Sequence, residues 1–583
     1  MSATSASTKP GPLQRWVPGV GMLRTYRRSW LRNDFIAGVV LAAILVPQGM
    51  AYAELAGVPA VNGLYTTIAC LVGYAVFGPS RILVLGPDSS VAPLIFAAIT
   101  PLLVTDDPAE AVALAAMMAL MVGAIEVGLG LGKLGFVADL LSKEVQVGYM
   151  NGLAITIIVG QLPKLFGFST DADGFVNEVK AFFDGLDQTN TTALAIGLAT
   201  LAVLLILPRV TSKVPAVLVA VVGATVVTGL LDLSAKGVDV VGALPQGLPK
   251  PAFPSVPLDS LGPLLAASFG IVLVSLTDTI ATSTSFAARR GDEVEPNQEM
   301  IGMGAANVAA GMFQGFAISA SGSRTAVAEQ SGSKSQVTGL AGAGIVAILL
   351  LFLPSLLQNL PQPALAAVVI AAALSLFNFG ILSTYYRMRR SALVISLVTS
   401  LGVILFGVLQ GILIAVILSI LLFFRRNWWP EGEVLGRVRE LDGWHSTKQY
   451  PRAEEADGVV VYRWEAPLFF ANAGIFRQEI RRLVRQRKPT WVVLECAAIT
   501  DIDVTAADML ERLDQELNDQ GVYVVFVEMR SRIEELLEQY GLFATFTREH
   551  VYPTIDMAVS GIQEESAPGD DPTHAPEDLD GAS

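Results

Sequence analysis

Two polar stretches decide the fold, Gly86-Pro87-Asp88-Ser89-Ser90 and Ser319-Ala320-Ser321-Gly322-Ser323-Arg324-Thr325. Each interrupts an apolar part of the chain, follows a brief β-like run and precedes residues that can form a helix. Because backbone groups without hydrogen-bond partners are not tolerated in lipid, we expect each stretch to start a half-helix that lines a cavity at membrane depth. A helix N-terminus presents free N–H groups and partial positive charge, which suit an anion. One such end in each half of a chain is typical of secondary transporters built from inverted repeats.

The composition is that of a polytopic membrane protein. Of the 583 residues, 52% are hydrophobic and only 16% are charged, and the mean hydropathy is +0.54. Soluble proteins carry about 25% charged residues. Apolar runs long enough to cross a bilayer recur from Phe35 to Phe424, and the charged residues concentrate before and after them. This pattern excludes an ordinary soluble enzyme. Since the sequence has no nucleophile–base constellation or metal cluster, we expect no enzymatic activity.

Four segments are predicted along the chain: a cytoplasmic N-terminal segment at 1–33, a transmembrane domain at 34–427, a small α/β domain at 433–562 and a disordered acidic tail at 563–583. Strands that alternate with helices indicate the α/β domain. Arginines flank the first and last spans, so the positive-inside rule predicts that both termini are cytoplasmic. The N-terminal segment lacks the apolar core of a cleavable signal peptide. We therefore expect a multi-pass protein of the inner (plasma) membrane.

The transmembrane domain is predicted to contain about 14 spanning elements, half of them in each half of the domain. The first span is expected to be broken near Pro47-Gln48-Gly49. Asp34 and Pro263, which begin corresponding spans, are 229 residues apart, and the two breaks at Asp88 and Ser323 are 235 residues apart. These similar offsets favour an internal repeat, and an odd number of elements per copy would invert the second copy. A chance correspondence within a uniformly apolar chain is the alternative.

Charge and cysteine content exclude several kinds of partner. The formal net charge is −14, but much of it lies in the C-terminal part of the chain, so we expect no nucleic-acid partner. Cys70 and Cys496 lie in unlike surroundings and suggest neither a disulfide framework nor a metal site. The histidines lie outside the predicted spans and offer no proton relay within the membrane. No cofactor is predicted.

Several short motifs carry a resemblance to a known family: Val46–Ala53 with Gly63-Leu64-Tyr65 downstream, Gly86–Ser90, Asn297–Met300 and Ser321–Arg324. With them the chain resembles the SulP (sulfate permease) anion transporters over nearly its whole length. The C-terminal domain is similar to the STAS domain of anti-sigma-factor antagonists. The resemblance implies a core bundle of the first four spans of each half, which moves against a gate bundle of the remaining spans. It also implies a homodimer and an anion bound between the facing ends of the two half-helices.

Arg324, Ser321 and Ser323 are the first candidates for anion binding. An arginine at membrane depth is costly and usually faces a polar cavity. At a half-helix N-terminus its charge adds to the helix dipole, which favours an anion between them. The family resemblance implies that Ser323 and Arg324 help to form the anion site. The alternative is an arginine that extends to the interface, with serines that only cap the helix.

The opposite half-helix and the first span supply further anion-binding candidates. Ser89 and Ser90 could donate hydroxyl and N–H groups to an oxyanion. Gln48 and Tyr52, at the expected break of the first span, could donate hydrogen bonds without adding charge. Asp88 is interpreted as an N-cap rather than a ligand, because a carboxylate would repel the substrate.

Asp278 and Thr282 are candidates for coupling transport to a cation. They lie four residues apart and hence on one face of the predicted helix. A buried carboxylate with hydroxyl groups could bind Na⁺, a hard cation that takes oxygen ligands, or could carry a proton. The pair matches an Asp/Thr pair in Na⁺-driven bicarbonate members of the family, whereas other members have a glutamate nearby and use protons. Alternatively, Asp278 pairs with Arg324 or caps a neighbour without any coupling role.

Other acidic residues are weaker candidates within the predicted spans. Glu54 could carry a coupling proton or could equally lie near the membrane interface. Glu329 follows Arg324 closely and could balance its charge. Glu126 is the remaining acidic residue expected within a span, and no transport role is assigned to it or to Glu329.

In the STAS-like domain, Thr505 is a candidate regulatory residue. The segment Asp501–Thr505 matches the loop that carries a phosphorylated serine in anti-sigma-factor antagonists. A phosphate there would be stabilised by the N-terminus of the helix that follows. We favour the simpler interpretation that Thr505 is the N-cap of that helix. This domain could also bind a cytoplasmic partner protein.

These observations predict secondary active transport of a small inorganic oxyanion, with sulfate favoured, by elevator-type alternating access and coupling to Na⁺ or H⁺. Na⁺-dependent bicarbonate symport is the nearest alternative, and dicarboxylate or chloride exchange is another. A different class of function is a membrane-anchored regulator, in which the STAS-like domain binds a signalling partner and the spans only anchor it. Broken spans in such number exceed what an anchor needs.

Overall fold

The structure, a computed structural model, divides the chain into two compact units, of which the first ends at Ile420 and the second begins at Leu421. The described residues are 17–105, 107–139, 141–170, 172, 174–211, 215–377, 379–430, 432–544, 546 and 548–565. The acidic tail predicted from 563 onward lies outside them, except for its first three residues, which end the last helix. The predicted N-terminal segment is described from residue 17 onward.

The first half of the membrane unit consists of apolar helices interrupted by one very short strand. Its elements are α1 (Pro18–Thr25), α2 (Leu31–Leu55), α3 (Ala60–Phe77), β1 (Leu85–Gly86), α4 (Ala92–Ile99), α5 (Pro108–Leu131), α6 (Lys143–Phe166), α7 (Phe175–Asp184), α8 (Thr191–Val210) and α9 (Ala216–Leu230). Helices α2, α3, α5, α6 and α8 are long and apolar enough to cross a membrane, whereas α4 and α9 are shorter apolar helices. The polar stretch Gly86–Ser90 therefore joins β1 to the half-helix α4, as predicted.

The second half repeats this order of elements. It contains α10 (Leu258–Ala288), α11 (Pro296–Met312), β2 (Ser319–Ala320), α12 (Gly322–Gln330), α13 (Val337–Phe352), α14 (Gln362–Leu376), α15 (Phe379–Met388), α16 (Arg390–Phe406) and α17 (Val408–Trp428). In both halves two helices precede a short strand with a half-helix, and further spanning elements follow. The order of elements thus agrees with the predicted repeat of seven spans.

The helices of the two halves form two bundles. In the core bundle, α11 packs against α3 and α5, and α13 packs against α2 and α3. In the gate bundle, α14 and α16 pack against α6, and α8 packs against α9 and α14. Each bundle therefore takes helices from both halves of the chain, as inverted repeats require.

The predicted break of the first span is wrong. Helix α2 is continuous, with Pro47 inside it. A proline removes one intrahelical hydrogen bond, but transmembrane helices tolerate this loss where neighbouring elements satisfy the freed carbonyl group. At this level α3 approaches α2 closely, since a Cβ on Gly63 would lie 1.9 Å from the Gly49 carbonyl oxygen. Only glycine at position 63 permits this packing.

The second unit is a small α/β domain. Its elements are β3 (Gly432–Arg437), β4 (Trp444–Ser446), β5 (Val459–Trp464), α18 (Ala473–Arg487), β6 (Trp491–Glu495), α19 (Val504–Asn518), β7 (Tyr523–Val527), α20 (Ser531–Gln539), β8 (Val551–Tyr552) and α21 (Ile555–Glu565). The strand order is β4-β3-β5-β6-β7-β8, with β5 to β8 parallel and β3 antiparallel to its neighbours. One face of the sheet packs on α18, α19 and α20, and the other face packs on α21.

Candidate functional site

The two predicted breaks meet in a short antiparallel ladder. Leu85 pairs with Ala320, and Gly86 pairs with Ser319. Because the strands are antiparallel, the half-helices α4 and α12 leave the ladder in opposite directions, and the N-terminal ends of both lie close to it. We call this region the junction. Free N–H groups and the positive ends of two helix dipoles converge there.

Arg324 lies at the junction and is only 1% exposed. Its Nη2 donates to Oδ2 of Asp88 at 3.1 Å, which joins the starts of the two half-helices by an ion pair. Its Nε and Nη1 have no hydrogen-bond partner among the described residues. Buried N–H groups are almost always paired, and guanidinium groups bind oxyanions well. These two unused donors are therefore suited to a further acceptor, such as an anion.

Asp88 holds the turn that precedes α4. Its Oδ1 accepts hydrogen bonds from the N–H of Ser90 at 3.0 Å and from the hydroxyl of Ser90 at 2.8 Å. The prediction of Asp88 as the N-cap of α4 is therefore wrong, because the N-cap is Val91, one turn later, and Asp88 stabilises the preceding turn instead. Asp88 therefore has two tasks, since it also carries the ion pair with Arg324. The hydroxyl of Ser90 is engaged with Asp88.

A cavity of about 1550 Å³ opens at the junction, and we call it the junction cavity. It is lined by most of the predicted site residues, namely Gln48, Tyr52, Ser89, Asp278, Thr282, Ser321, Ser323 and Arg324. The hydroxyls of Ser321 and Ser323 lie 3.1 Å apart. The structure thus brings together polar side chains from α2, α10 and both half-helices around the free N–H groups of Arg324.

The junction cavity extends to one end of the membrane unit. Its lining there includes Ile36 near the start of α2 and Gln330 at the end of α12. Glu329 lies 3.7 Å from both Arg289 and Arg290, which follow the end of α10. We call this the arginine-rich end. Glu329 was predicted to balance the charge of Arg324. It pairs instead with these two arginines.

The polar residues of α10 divide between two faces of the helix. Asp278 and Thr282 line the junction cavity. Ser275 instead donates to buried Glu126 at 2.9 Å, and Thr279 accepts the N–H of Ala320 at 3.4 Å. The first pair is thus available to a solute or an ion, whereas Ser275 and Thr279 stabilise the core bundle.

Gln146 is a site residue that sequence analysis missed. Its Nε2 donates to Oδ1 of Asp278 at 3.2 Å, and both residues line the junction cavity. The predicted alternative of an Asp278–Arg324 pair is not formed, since Arg324 pairs with Asp88. Gln146 belongs to α6 of the gate bundle and Asp278 to α10 of the core bundle. No local sequence pattern connects them, because they are 132 residues apart.

The structure does not bring Glu54 to the junction. Glu54 lines a different cavity of about 920 Å³, near the end of α2 opposite to Ile36. Its Oε1 accepts a hydrogen bond from Nε2 of Gln362 at 2.8 Å, and its Oε2 lies 4.0 Å from Nζ of Lys164. We call this space the Glu54 cavity. A cation-coupling role for Glu54 stays a prediction, separate from the site around Asp278.

Comparison with known proteins places this site in a family. The sulfate permease family matches residues 31–399, and the STAS domain matches residues 450–558. A probable sulfate transporter of Mycobacterium tuberculosis strain H37Rv is 39% identical over 94% of this chain and 98% of its own length. The chain belongs to the sulfate permease family. Solute carrier family 26 member 6 of Homo sapiens is 31% identical over 81% of this chain and 64% of its own length.

Solved structures have the same fold as this sulfate permease family member. The murine Slc26a9 anion transporter, described as inward-facing, superimposes with a TM-score of 0.88 over 97% of this chain and 96% of its own, at 25% identity. The transmembrane domain of the cyanobacterial bicarbonate transporter BicA superimposes with a TM-score of 0.59 over 68% of this chain and 98% of its own, at 23% identity. Helices α2 to α17 thus form a transport domain of the sulfate permease type, followed by a STAS domain.

In the STAS domain, the interpretation of Thr505 as an N-cap is wrong. The N-cap of α19 is Asp503, whose Oδ1 accepts the N–H of Ala506 at 2.8 Å. Thr505 lies in the first turn of α19 and is exposed. An aspartate accepts the free N–H groups at a helix start and also interacts favourably with the helix dipole. The Thr505 hydroxyl is therefore not needed to cap the helix.

Replacing Asp503 by alanine is expected to destabilise the start of α19 by about 1 kcal/mol, the usual cost of losing an N-cap. Hydrogen exchange of the Ala506 amide in the full-length protein measures this change. Thr505→Ala is the matched control, because it removes a side-chain oxygen from the same turn without removing the cap. Equal exchange in wild type and Asp503→Ala would contradict the assignment of the cap.

Proposed function

We propose that this protein is a secondary transporter of a small inorganic oxyanion, with sulfate as the first candidate substrate. The observation that carries the proposal is buried Arg324 at the meeting point of two half-helix N-termini, since its Nε and Nη1 have no hydrogen-bond partner within the described ranges. Ser89, Ser321 and Ser323 add hydroxyl donors around the same space. Membership of the sulfate permease family and relatives named as sulfate transporters support sulfate.

The arginine-rich end is proposed to face the cytoplasm. Positively charged residues of short connections favour the cytoplasmic side of a membrane, and Arg289 and Arg290 lie in such a connection. With this orientation the junction cavity opens inward, and the Glu54 cavity lies on the outer side. Both termini are then cytoplasmic, in agreement with an even number of spans in the plasma membrane.

The proposed mechanism is elevator-type alternating access. The core bundle carries the junction, because α2 and the segments that begin α4 and α12 supply its anion-binding side chains, and α10 supplies Asp278 and Thr282. The gate bundle supplies the opposite wall through α6, α8, α9 and α14. Movement of the core bundle along this wall would close the junction cavity on one side and expose Arg324 on the other. A ligand held by the core alone is what such a movement requires.

A coupling cation is proposed to bind at Asp278 and Thr282, either as Na⁺ or as a proton on the carboxylate. The carboxylate of Asp278 and the hydroxyl of Thr282, both on α10 of the core bundle, offer oxygen atoms of the kind that Na⁺ prefers. These residues fit the cation because they line the junction cavity beside the anion site. A positive charge there would offset the charge of a bound anion and lower the cost of moving it through the membrane.

Na⁺-coupled bicarbonate symport is the second candidate function, favoured by the exposure of Asp278 and Thr282 to the junction cavity. Uptake of labelled sulfate, bicarbonate and succinate into proteoliposomes, under imposed Na⁺ or H⁺ gradients, separates the candidates. We expect sulfate uptake that an inward cation gradient drives. Bicarbonate uptake without sulfate uptake would favour the second candidate. Succinate uptake or gradient-independent chloride exchange would favour an exchanger.

The STAS domain is proposed to be a regulatory module with a cytoplasmic partner, and exposed Thr505 is its candidate modification site. A homodimer is the expected assembly on the basis of family resemblance, and the mass of the purified protein in detergent tests it. Neither proposal changes the chemistry of the junction.

Deleting residues 433–583 is expected to leave anion binding within about twofold of wild type, because Arg324 and the other junction residues belong to the membrane unit. Calorimetric titration of sulfate into the purified truncated protein measures this. A membrane-anchored regulator would instead depend entirely on the deleted domain. Loss of anion binding in a truncated protein that remains monodisperse would contradict the transporter proposal.

A further inference from the structure

Two cavities approach α2 from opposite ends and nearly meet. Tyr52 lines the junction cavity, and Glu54, two residues later, lines the Glu54 cavity. The barrier between the two spaces therefore lies at this turn of α2. In an inward-open transporter this is where the core and gate bundles must close against each other on the outer side.

Glu54 makes a polar contact across that closure. Its carboxylate belongs to α2 of the core bundle, while Gln362 begins α14 and Lys164 lies near the end of α6, both in the gate bundle. The hydrogen bond from Gln362 is 2.8 Å long, and Lys164 lies at 4.0 Å from the other carboxylate oxygen. Glu54 is also placed at the N-terminus of α14, where the helix dipole favours a negative charge.

The gate side of this contact is firmly held. The backbone N–H of Gln362 donates to the Asp239 carbonyl oxygen at 2.8 Å, and Val240 forms a β-bridge with Pro361. The segment that links the two halves of the chain thus fixes the start of α14. A movement of the core bundle relative to the gate bundle would therefore break the contacts of Glu54 rather than carry Gln362 along.

We propose that Glu54, Gln362 and Lys164 form a latch that holds the core bundle against the gate bundle while the outer side is closed. The proposal rests on the alternating-access mechanism proposed above, in which the two bundles move relative to each other. They are positioning residues, since they touch neither the anion nor the coupling cation. Release of Glu54 from the gate bundle would accompany opening of the outer side.

Two variants, each with one introduced cysteine, test the latch. Ala60→Cys lies in the Glu54 cavity, where Ala60 is buried, and Ala372→Cys lies in the junction cavity. The native Cys70 and Cys496 are at most 2% exposed, and burial raises the pKa of the Cys496 thiol, so both should react slowly. The measured quantity is the ratio of outer to inner labelling rates, obtained with a maleimide on the full-length protein in proteoliposomes.

Glu54→Leu is expected to raise this ratio by about tenfold, the change in an equilibrium constant that the loss of a charged hydrogen bond produces. Gln362→Leu, which leaves the carboxylate in place, should raise it in the same direction. Asp107→Asn is the matched control, because Asp107 lines the same cavity on the core side and asparagine can replace it as the cap of α5. The control should leave the ratio unchanged.

Exchange of the charges provides a rescue test. In the double variant Glu54→Lys with Lys164→Glu, the new lysine can donate to Oε1 of Gln362, which has no hydrogen-bond partner among the described residues. The labelling ratio should return towards the wild-type value. A purely structural role for Glu54 would not produce this recovery.

Three results would overturn the latch. The first is an unchanged labelling ratio in both Glu54→Leu and Gln362→Leu. The second is a change in the control as large as in Glu54→Leu. The third is loss of cation dependence of uptake in Glu54→Leu at an unchanged ratio, which would make Glu54 a coupling residue. Failure of the wild-type protein to take up any tested anion would refute the proposed function instead, and labelling would still report on the latch.

Discussion

Replacing Arg324 by glutamine is expected to weaken sulfate binding by about a hundredfold, equivalent to about 3 kcal/mol. Arg324 is the buried cation at the junction, and its Nε and Nη1 find no hydrogen-bond partner in the part of the chain that the structure describes. Glutamine keeps hydrogen-bonding capacity but removes the positive charge and these guanidinium donors. Sulfate affinity of the purified variant, measured by calorimetric titration, and sulfate uptake in proteoliposomes are the two readouts.

The variant also leaves Asp88 without its partner, so a second variant must separate the two effects. In Arg324→Gln with Asp88→Asn the unpaired carboxylate is removed as well. If repulsion by Asp88 alone caused the loss, the double variant would bind sulfate nearly as well as wild type. We expect it to remain impaired, because the positive charge that attracts the anion is still missing.

Arg290→Gln is the matched control for loss of an arginine from the membrane unit. Arg290 pairs with Glu329 at the arginine-rich end, and its guanidinium also donates to the Ser333 carbonyl oxygen at 3.0 Å. Its loss should change sulfate affinity by less than about threefold, since it does not line the junction cavity. An affinity in Arg324→Gln equal to that of Arg290→Gln would refute the assignment of the anion site to the junction.

The junction could be predicted because its signal is local. Glycine, proline and serine interrupt apolar runs at Gly86–Ser90 and Ser319–Arg324, and no continuous helix can form there in lipid. Pairing of β1 with β2 was not predicted, although each break needs a partner for its exposed backbone groups. The same reasoning wrongly predicted that Pro47 breaks the first span. A single proline can be accommodated within a long apolar helix.

Contacts between the bundles could not be predicted. The hydrogen bonds from Gln146 to Asp278 and from Gln362 to Glu54 join residues 132 and 308 positions apart. A glutamine in an apolar helix indicates a polar neighbour but not which one. Such pairs depend on how the core bundle packs against the gate bundle, which no local sequence pattern encodes.

In the STAS domain, the shortest strands could not be predicted from the sequence. Strand β4 has three residues and β8 has two, which is too short for an alternating pattern to be recognised. Helix α21 did carry a signal, since Ile555, Ala558, Val559 and Ile562 follow helical spacing and cover one face of the sheet. Thr505 was wrongly predicted as the cap because Asp503, two residues earlier, is at least as strong an N-cap.

Replacing Asp278 by asparagine is expected to abolish the dependence of sulfate uptake on the cation gradient. Asparagine keeps the size of the side chain and can still bond to Gln146, but it carries neither a proton nor the charge that attracts Na⁺. Sulfate affinity should change by less than about threefold, because Arg324 and both half-helices are unaltered. Uptake into proteoliposomes with imposed Na⁺ or H⁺ gradients measures the effect and identifies the coupling ion in wild type.

Glu126→Gln is the matched control, because Glu126 is a second buried carboxyl group next to α10 that bonds to Ser275 and Asn307 within the core bundle. If any buried carboxyl group could couple transport, both variants would lose the response to the gradient. We expect Glu126→Gln to retain it, since Glu126 does not line the junction cavity and an ion entering with the anion cannot reach it. A gradient response that persists in Asp278→Asn would refute coupling at this residue. A response lost in both variants would also contradict a specific role for Asp278, because Glu126 has no access to the junction cavity.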